Sequence, residues 1–285
     1  MKTETSVNRR TFIKRTIQYA LGVFGSLGLS SFYSYWIEPH FIETKKVDII
    51  LPRLPESFRD FRICHFSDLH LGDHFKPGDL LSVAELIQST NADVICFTGD
   101  LFDHQPVGVS KTIRCLSQLH APFGKYAVLG NHDNWGNRWD VERVLRKADF
   151  RLLENKHVPL RKRGQEIFLA GVDDPWVGKP EIEQALQGIP ENACTILLAH
   201  EPDFADEYAH YPVDLQLSGH SHGGQVCLPF VGPIYTPPHS QKYPSGLYQV
   251  NSDFQVYTTR GIGMTRFPIR FNCRPEITVI TLKST

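Results

Sequence analysis

Seven side chains that are typical metal ligands occur in five short motifs of the chain. They are Asp68 and His70 in "FSDLH", Asp100 in "FTGD", Asn131 in "LGNHD", His200 in "LLAH", and His220 with His222 in "LSGHSH". With 13 histidines in 285 residues, the His-x-His pair alone is expected by chance. Together with carboxylates and an amide in separate motifs, it predicts a site for divalent cations.

The ligand types limit the cations. Carboxylate, imidazole and amide groups suit Mn, Zn or Fe, and the lack of cysteine in the motifs argues against a structural zinc site. Seven ligands are more than one tetrahedral ion needs, whereas two ions that share a carboxylate fit the number. Two metal ions about 3.5–4 Å apart can stabilise both the attacking and the leaving oxygen in phosphoryl transfer.

The elements that position these residues follow from the hydrophobic pattern. Short apolar runs, "RICHF", "DVICF" and "KYAVL", alternate with helical patterns, and each run leads directly into a motif. This alternation predicts strand-helix-strand units whose strands are buried on both faces. The later runs, "TILLAH" and "LQLSGH", predict further buried strands. Because ligands bind at the carboxyl ends of strands in α/β sheets, we expect one site on a mixed α/β (α+β) domain of two sheets with helices outside.

The motif series "DLH", "GDLFD", "GNHD", "LLAH" and "GHSHGG" resembles the calcineurin-like metallophosphoesterases, from about Arg62 to Leu282. The segments "LSGHSHGGQVCLPFVGPIYTPP" and "VYTTRGIGMTRFPIRFNCRPEIT" are similar to the bacterial exported YkuE/YaeI-type branch. The resemblance implies a β-sandwich flanked by helices, which agrees with the pattern of apolar runs.

The resemblance also implies a role for each residue. It places Asp68, His70 and His222 on one metal ion, Asn131, His200 and His220 on the other, and Asp100 between them. His132 would contact the phosphoryl oxygen or protonate the leaving group, with Asp103 as its carboxylate partner. From the residues alone, His132 could instead be a helix-capping loop residue, and Asp103 a turn or cap aspartate.

The implied activity is hydrolysis of phosphate esters by two divalent metal ions. Diesters or pyrophosphates are favoured over phosphoproteins, because His104 and Leu129-Gly130 stand where protein phosphatases of the family carry arginines. A narrower alternative is a UDP-2,3-diacylglucosamine-type pyrophosphatase of lipid A or glycolipid metabolism. An alternative of another class is an inactive metal-binding surface protein.

Several other polar residues have less certain meanings. Asp133, Asp173 and Asp174 are expected to be solvated or capping groups, and His65 a core histidine. His74 and His104 could line the mouth of the site. Four arginines of the closing segment could bind further phosphates or be solvated, namely Arg260, Arg266, Arg270 and Arg274. The apolar residues Phe267, Ile269 and Phe271 indicate either a core strand or a membrane-facing lip.

The N-terminal segment differs from the rest of the chain. Five basic residues and one acidic residue occupy positions 1–15, and positions 16–37 carry no charge. "NRRTFIK" resembles a twin-arginine export signal through Arg9, Arg10, Phe12 and Lys14. We therefore predict a signal or membrane anchor over 1–37, a linker with an edge strand near 47–51 over 38–60, and the catalytic domain over 61–285.

These predictions define the expected partners and location. They are the twin-arginine export machinery, the membrane through the N-terminal segment, and a phosphoester substrate, possibly linked to lipid or cell wall, met outside the cytoplasm. The formal charge of -1 argues against general nucleic-acid binding. The six cysteines occur singly, so no Cys-x-x-Cys motif is present.

Overall fold

The computed structural model describes residues 8–285, so residues 1–7 of the predicted signal segment lie outside the described residues. Asn8 is the N-cap of helix α1 (Arg9–Phe32), and its side chain accepts a hydrogen bond from the main-chain N–H of Arg10. None of the helices in residues 8–285 is both long and apolar enough to cross a membrane. The predicted hydrophobic span over 16–37 is therefore not supported: the segment lacks charge, but Gln18, its serines and its glycines dilute the apolar residues.

Six further α-helices and 14 strands follow in the described residues, besides short 3-10 and π-helical turns. The helices are α2 (Leu80–Ser89), α3 (Val109–Ser117), α4 (Asn131–Trp135), α5 (Arg138–Lys147), α6 (Ile182–Leu186) and α7 (Ala205–Tyr208). The strands are β1 (Glu43–Ile50), β2 (Arg62–Phe66), β3 (Val94–Phe97), β4 (Lys125–Ala127), β5 (Arg151–Leu152), β6 (Lys156–Lys162), β7 (Gln165–Gly171), β8 (Thr195–Leu198), β9 (Leu215–Ser218), β10 (Cys227–Leu228), β11 (Gly232–Pro233), β12 (Gly246–Gln249), β13 (Gln255–Thr258) and β14 (Glu276–Lys283).

The larger strands form two six-stranded sheets. The first has the order β1-β14-β2-β3-β4-β5 and the second the order β12-β13-β9-β8-β7-β6. Strands β2, β3 and β4 are parallel to one another, as are β7, β8 and β9. As predicted near residues 47–51, an edge strand is present: β1 pairs with β14 at the edge of the first sheet.

Side chains alternate between the two faces of each strand, so the buried apolar residues form three layers. Ile63 and Val94 of the first sheet face the core between the sheets, where they join Ile196 and Leu217 of the second. Neighbouring residues such as Phe66 point the other way, toward α2, α3 and α5. The outer face of the second sheet is covered by α6 and α7. The predicted mixed α/β class, with two sheets and flanking helices, is therefore confirmed.

The segment after α1 is fastened to the two-sheet domain by hydrogen bonds. The Ser34 carbonyl accepts a hydrogen bond from the main chain of Arg270 at 3.0 Å. The buried Glu38 carboxylate accepts hydrogen bonds from the main-chain N–H groups of Asn272 at 2.9 Å and Cys273 at 2.5 Å. Ser34 and Glu38 thus anchor residues 270–273, which lead into β14 of the first sheet.

Candidate metal centre

The topology brings the five motifs to one place. Asp68 follows β2, Asp100 follows β3 and Asn131 follows β4, all parallel strands of the first sheet. His200 follows β8 and His220 follows β9, which are parallel strands of the second sheet. The carboxyl ends of both sets of strands therefore meet at the same edge of the sandwich.

The backbone at these residues is strained. Positive φ angles of 43–66° occur at five of the seven predicted ligands, namely Asp68, His70, Asp100, His220 and His222. A left-handed conformation costs a non-glycine residue about 1 kcal/mol or more, and it persists only where the surroundings enforce it. Such a concentration of strain is typical of functional sites.

The first ligand cluster contains Asp68, His70 and His222. Their candidate ligand atoms lie within 4.8 Å of one another, and all three residues are buried. Asp68 Oδ1 lies 3.4 Å from His222 Nε2 and 3.8 Å from His70 Nε2. The main-chain N–H of His220 holds the Asp68 carboxylate through two hydrogen bonds of 3.0 and 3.1 Å.

The second cluster contains Asp100, His200 and His220, which are also buried. Asp100 Oδ2 lies 3.1 Å from His200 Nε2 and 3.4 Å from His70 Nε2 of the first cluster. Asp100 is therefore placed between the clusters, as expected for a bridging ligand. Asn131 lines the same cavity as Asp100 and His220, and its side-chain oxygen is buried without a hydrogen-bond partner.

The donor atoms fit cations. Nδ1 of His200 lies 2.5 Å from the Thr98 carbonyl, and Nε2 of His220 lies 2.9 Å from the Pro238 carbonyl. A carbonyl fixes the proton on the nitrogen that faces it, which leaves the lone pair of the other ring nitrogen free for a metal. In His200 that nitrogen is Nε2, which faces Asp100 Oδ2 at 3.1 Å and can bind a metal once it has lost any proton shared with that carboxylate. His70 Nε2 and His222 Nε2 face each other at 3.0 Å, a separation that suits two imidazoles on one cation at about 2.0–2.1 Å.

The protonation states also suit ligation. Burial would raise the pKa values of Asp68 and Asp100, but the histidines around them, His70 and His200 among them, hold both below the ordinary value. Burial lowers the pKa of His220 to about 3 and places that of His222 well below its ordinary value. The site therefore offers two carboxylates and two neutral imidazoles, the forms that bind divalent metals.

Burial would lower the pKa values of His70 and His200 as well, but the Asp100 carboxylate raises both well above the ordinary value. These two imidazoles hold protons that a cation must displace.

His132 lies at the edge of both clusters. Its main-chain N–H donates to Asp100 Oδ1 at 2.9 Å, and its ring is partly exposed. Nδ1 of His132 lies 2.6 Å from the main-chain carbonyl of Asp103, so Nε2 faces away from that loop with its lone pair free. Burial lowers the pKa of His132.

The predicted partnership between Asp103 and His132 differs in detail. The Asp103 carboxylate lies 3.6 Å from His132 Nδ1 but 3.3 Å from Nδ1 of His70. The main-chain carbonyl of Asp103 thus orients His132, whereas its carboxylate supports the ligand His70. The reason is that the loop after β3 turns its backbone, and not its side chain, toward His132.

Asp133 has a larger role than its turn-like context indicated. Its carboxylate is buried and accepts hydrogen bonds from the main-chain N–H groups of Asp100 and Leu101, both at 2.8 Å, and Gly130 at 3.0 Å. Asp133 is a capping residue, as predicted, but it ties the loop of the bridging aspartate to the loop of Asn131. Burial, followed by the Asp100 charge, raises the pKa of Asp133 to about 7. Its position in "GNHD", two residues after a predicted ligand, was the available signal.

Of the other polar residues with several possible meanings, some have structural roles and two lie beside the site. Asp173 and Asp174 are buried capping groups that accept main-chain hydrogen bonds, and neither belongs to a ligand cluster in residues 8–285. His65 is a core histidine whose Nε2 contacts Thr98 Oγ1 at 2.9 Å. His74 and His104 line a cleft beside the site.

Among the four arginines of residues 260–274, three are engaged in contacts within the fold and one lines the clefts. The fully buried Arg270 donates to main-chain carbonyls, among them Cys273 at 3.1 Å, and Arg260 pairs with Glu43 and Glu276. The guanidinium of Arg274 lies over the ring of Phe41. Arg266 alone among the four lines the clefts described next.

Two clefts open onto the centre. One is a cavity of about 520 Å³ whose lining includes Asp100, Asn131, His220 and His222. The other, of about 620 Å³, is lined by His74, Asp103, His104 and Gln105. Four residues line both clefts and mark where they meet, namely His132, Trp135, Thr265 and Arg266.

The two-sheet sandwich and the paired ligand clusters define a metallophosphoesterase. The family model described as calcineurin-like phosphoesterase matches residues 61–224, and the chain belongs to that family. It is therefore a phosphoester hydrolase, and the resemblance found in the motifs is confirmed.

The comparisons also identify relatives. The chain is 42% identical to the uncharacterized metallophosphoesterase YkuE of Bacillus subtilis, over 98% of this chain and 99% of that protein. It is 31% identical to the phosphodiesterase YaeI of Escherichia coli, over 97% of this chain and 99% of that protein. Among solved structures, a 5'-nucleotidase precursor from Thermus thermophilus aligns at a TM-score of 0.46 and 13% identity, covering 71% of this chain and 49% of that one.

Proposed function

We propose that this protein hydrolyses phosphodiesters with two divalent cations, for which Mn, Zn and Fe are the candidates. The observation that carries this proposal is the pair of buried ligand clusters joined at Asp100. Asp68, His70 and His222 would hold one cation, His200, His220 and Asn131 the other, and Asp100 both. When bound, the cations attract the phosphate group and lower the pKa of coordinated water.

The protein groups around the clusters support catalysis in distinct ways. His132 is placed to act on the phosphoryl group through Nε2, because its Nδ1 is engaged by the Asp103 carbonyl. To give a proton to the leaving oxygen, Nε2 must first take one up, since burial lowers the pKa of this ring. The Asp103 carboxylate orients His70 from the opposite side of that ring. Asp133 fixes the loops that carry Asp100 and Asn131. Together these contacts hold the ligands in place before substrate arrives.

The two clefts favour a diester over a monoester. A monoester has one organic group and needs one cleft, whereas a diester needs space on both sides of the phosphorus. The clefts meet at His132 and Arg266, beside the clusters, and differ in chemistry. Each can therefore hold a different ester group.

Hydrolysis of bis(p-nitrophenyl) phosphate, measured with added Mn or Zn, tests the proposal. Turnover should require metal, exceed that of p-nitrophenyl phosphate, and fall by about 10²–10⁴-fold in His132→Ala. A fully metal-loaded protein with no turnover above the His132→Ala variant would support the alternative of an inactive metal-binding surface protein.

For location, we propose action outside the cytoplasm, in the cell envelope, after twin-arginine export. The support is the run of Arg9, Arg10, Phe12 and Lys14, whose side chains are exposed on or beside the first turns of α1. A reporter that is active only in the cytoplasm, fused after Thr285, should be inactive in cells. An active reporter would overturn the export proposal, and Arg9→Lys with Arg10→Lys serves as the matched export control.

A further inference from the structure

The 520 Å³ cavity has two chemically different ends. At the inner end are the polar residues of the metal centre. The remaining wall is apolar, and it consists mainly of Val226, Ile234, Tyr235, Pro237, Phe267 and Ile269. Among residues 8–285, Asp100 and Arg266 are the only aspartate, glutamate, lysine or arginine side chains in the lining. A soluble polar group in this cavity would lose water without gaining matching partners.

The apolar wall is built from two connected segments. The hairpin of β10 and β11 supplies Val226 and Ile234, joined by a main-chain hydrogen bond of 3.0 Å. The segment after Thr265 supplies Phe267 and Ile269, and it is tied to the hairpin through Gln225, which bonds the Thr265 N–H at 2.8 Å and the Phe267 carbonyl at 3.2 Å. The wall is therefore part of the fold.

Aromatic rings close the opposite side of the cavity. Trp135 lies against His132 with ring centroids 5.1 Å apart and against Trp176 at 5.0 Å, and Trp176 reaches His220 at 5.6 Å. The two tryptophan rings thus form a continuous row between His132 and the candidate metal ligand His220. At the mouth, the guanidinium of Arg266 lies over the Tyr235 ring, 5.0 Å from its centroid.

We propose that this cavity binds the hydrocarbon chain of an amphiphilic phosphodiester whose phosphate lies at the metal centre. The inference rests on the proposed function and names its substrate class. Ile234 and Phe267 are 61% and 67% exposed, an arrangement that costs free energy in water unless an apolar group covers them. The polar cleft with His74, Asp103 and His104 receives the second, hydrophilic ester group.

A series of p-nitrophenyl alkyl phosphates with methyl, butyl and octyl chains tests the inference, at concentrations below micelle formation and with saturating metal. Burial of each methylene corresponds to a factor of about four in affinity, so kcat/KM should rise by about twofold to fourfold per methylene until the cavity is filled. The slope should flatten in Ile234→Ser and in Phe267→Ser. Val231→Ser is the matched control: Val231 is exposed on the same hairpin but does not line the cavity, so the slope should stay at the wild-type value.

The outcomes separate the two proposals. Turnover of the methyl ester with no dependence on chain length overturns the hydrocarbon site and leaves the phosphodiesterase proposal standing. If no ester is turned over by the metal-loaded protein, the phosphodiesterase proposal fails, and calorimetry then decides on the site. The hydrocarbon site is supported if octyl phosphate binds more tightly than methyl phosphate and Ile234→Ser abolishes the difference. Equal affinities of the two phosphates overturn the hydrocarbon site.

Discussion

Asp133→Asn is expected to weaken the metal centre although Asp133 touches no metal. Both oxygens of its carboxylate accept main-chain hydrogen bonds, two at one oxygen and one at the other. An asparagine keeps one acceptor oxygen and presents an NH₂ group to the remaining N–H. The substitution therefore leaves at least one buried N–H without a partner.

The size of the effect follows from that count. An unsatisfied buried polar group costs about 1–3 kcal/mol. A loss of about 2 kcal/mol lowers the melting temperature of a domain of this size by about 4–8 °C. Because the freed N–H groups belong to the loops of Asp100 and Asn131, the affinity for the metal ions should also fall by about 10–100-fold, as is typical when support behind ligands is removed.

Thermal unfolding and calorimetric titration with Mn measure the two effects. Asp93→Asn is the matched control, because Asp93 Oδ2 also accepts a main-chain hydrogen bond, from Arg62 at 2.8 Å, at the opposite end of the strand from the ligands. We expect the control to lose stability without loss of metal affinity. If Asp133→Asn binds Mn as tightly as the wild type does, the role assigned to Asp133 is wrong.

Three further predictions concern the same centre. Gly130→Ala should lower metal affinity, since the new Cβ would lie 2.7 Å from Nε2 of His200; Gly78→Ala, where the nearest atom is 3.5 Å away, is the control in the same titration. Glu38→Gln should destabilise the protein by about 1–3 kcal/mol and speed hydrogen exchange of the main-chain amide of Asn272 or Cys273. Each Glu38 oxygen accepts one of these N–H groups, whereas a glutamine has a single acceptor oxygen. Unchanged exchange would exclude the fastening role. Metal binding should release protons and weaken as the pH falls, because Asp100 raises the pKa values of His70 and His200 and a protonated ring cannot bind metal. Calorimetry in buffers of different ionisation enthalpy measures the number of protons released. Binding without proton release would contradict this prediction.

Much of the centre could be predicted from the sequence because its ligands follow strands. A short apolar run identifies a strand locally, and the parallel arrangement sends the ends of such strands to one edge of a sheet. The pattern therefore predicts that Asp68, Asp100 and His200 lie together. The two-sheet class followed from the same alternation. The hydrophobic pattern was less reliable at the N-terminus, where an uncharged segment proved insufficiently apolar for a membrane span.

Other features depend on packing between distant residues. Nothing local indicates that the Asp103 backbone, and not its carboxylate, contacts Nδ1 of His132 at 2.6 Å. Likewise, Arg266 lines the clefts while the nearby Arg270 is buried, although both lie in the same segment of the sequence.

The sequence by itself predicted the candidate ligands and determined the class of chemistry, because both depend on residue type and on the local pattern that ends a strand. The family resemblance already implied that His220 and His222 belong to different clusters, whereas only the tertiary structure decided which atoms of Asp103 contact His132 and where the apolar cavity opens. The physical reason is that the direction of a side chain is set by the backbone angles at each residue and by neighbours far away in the chain. Hydrophobic periodicity carries no information about either.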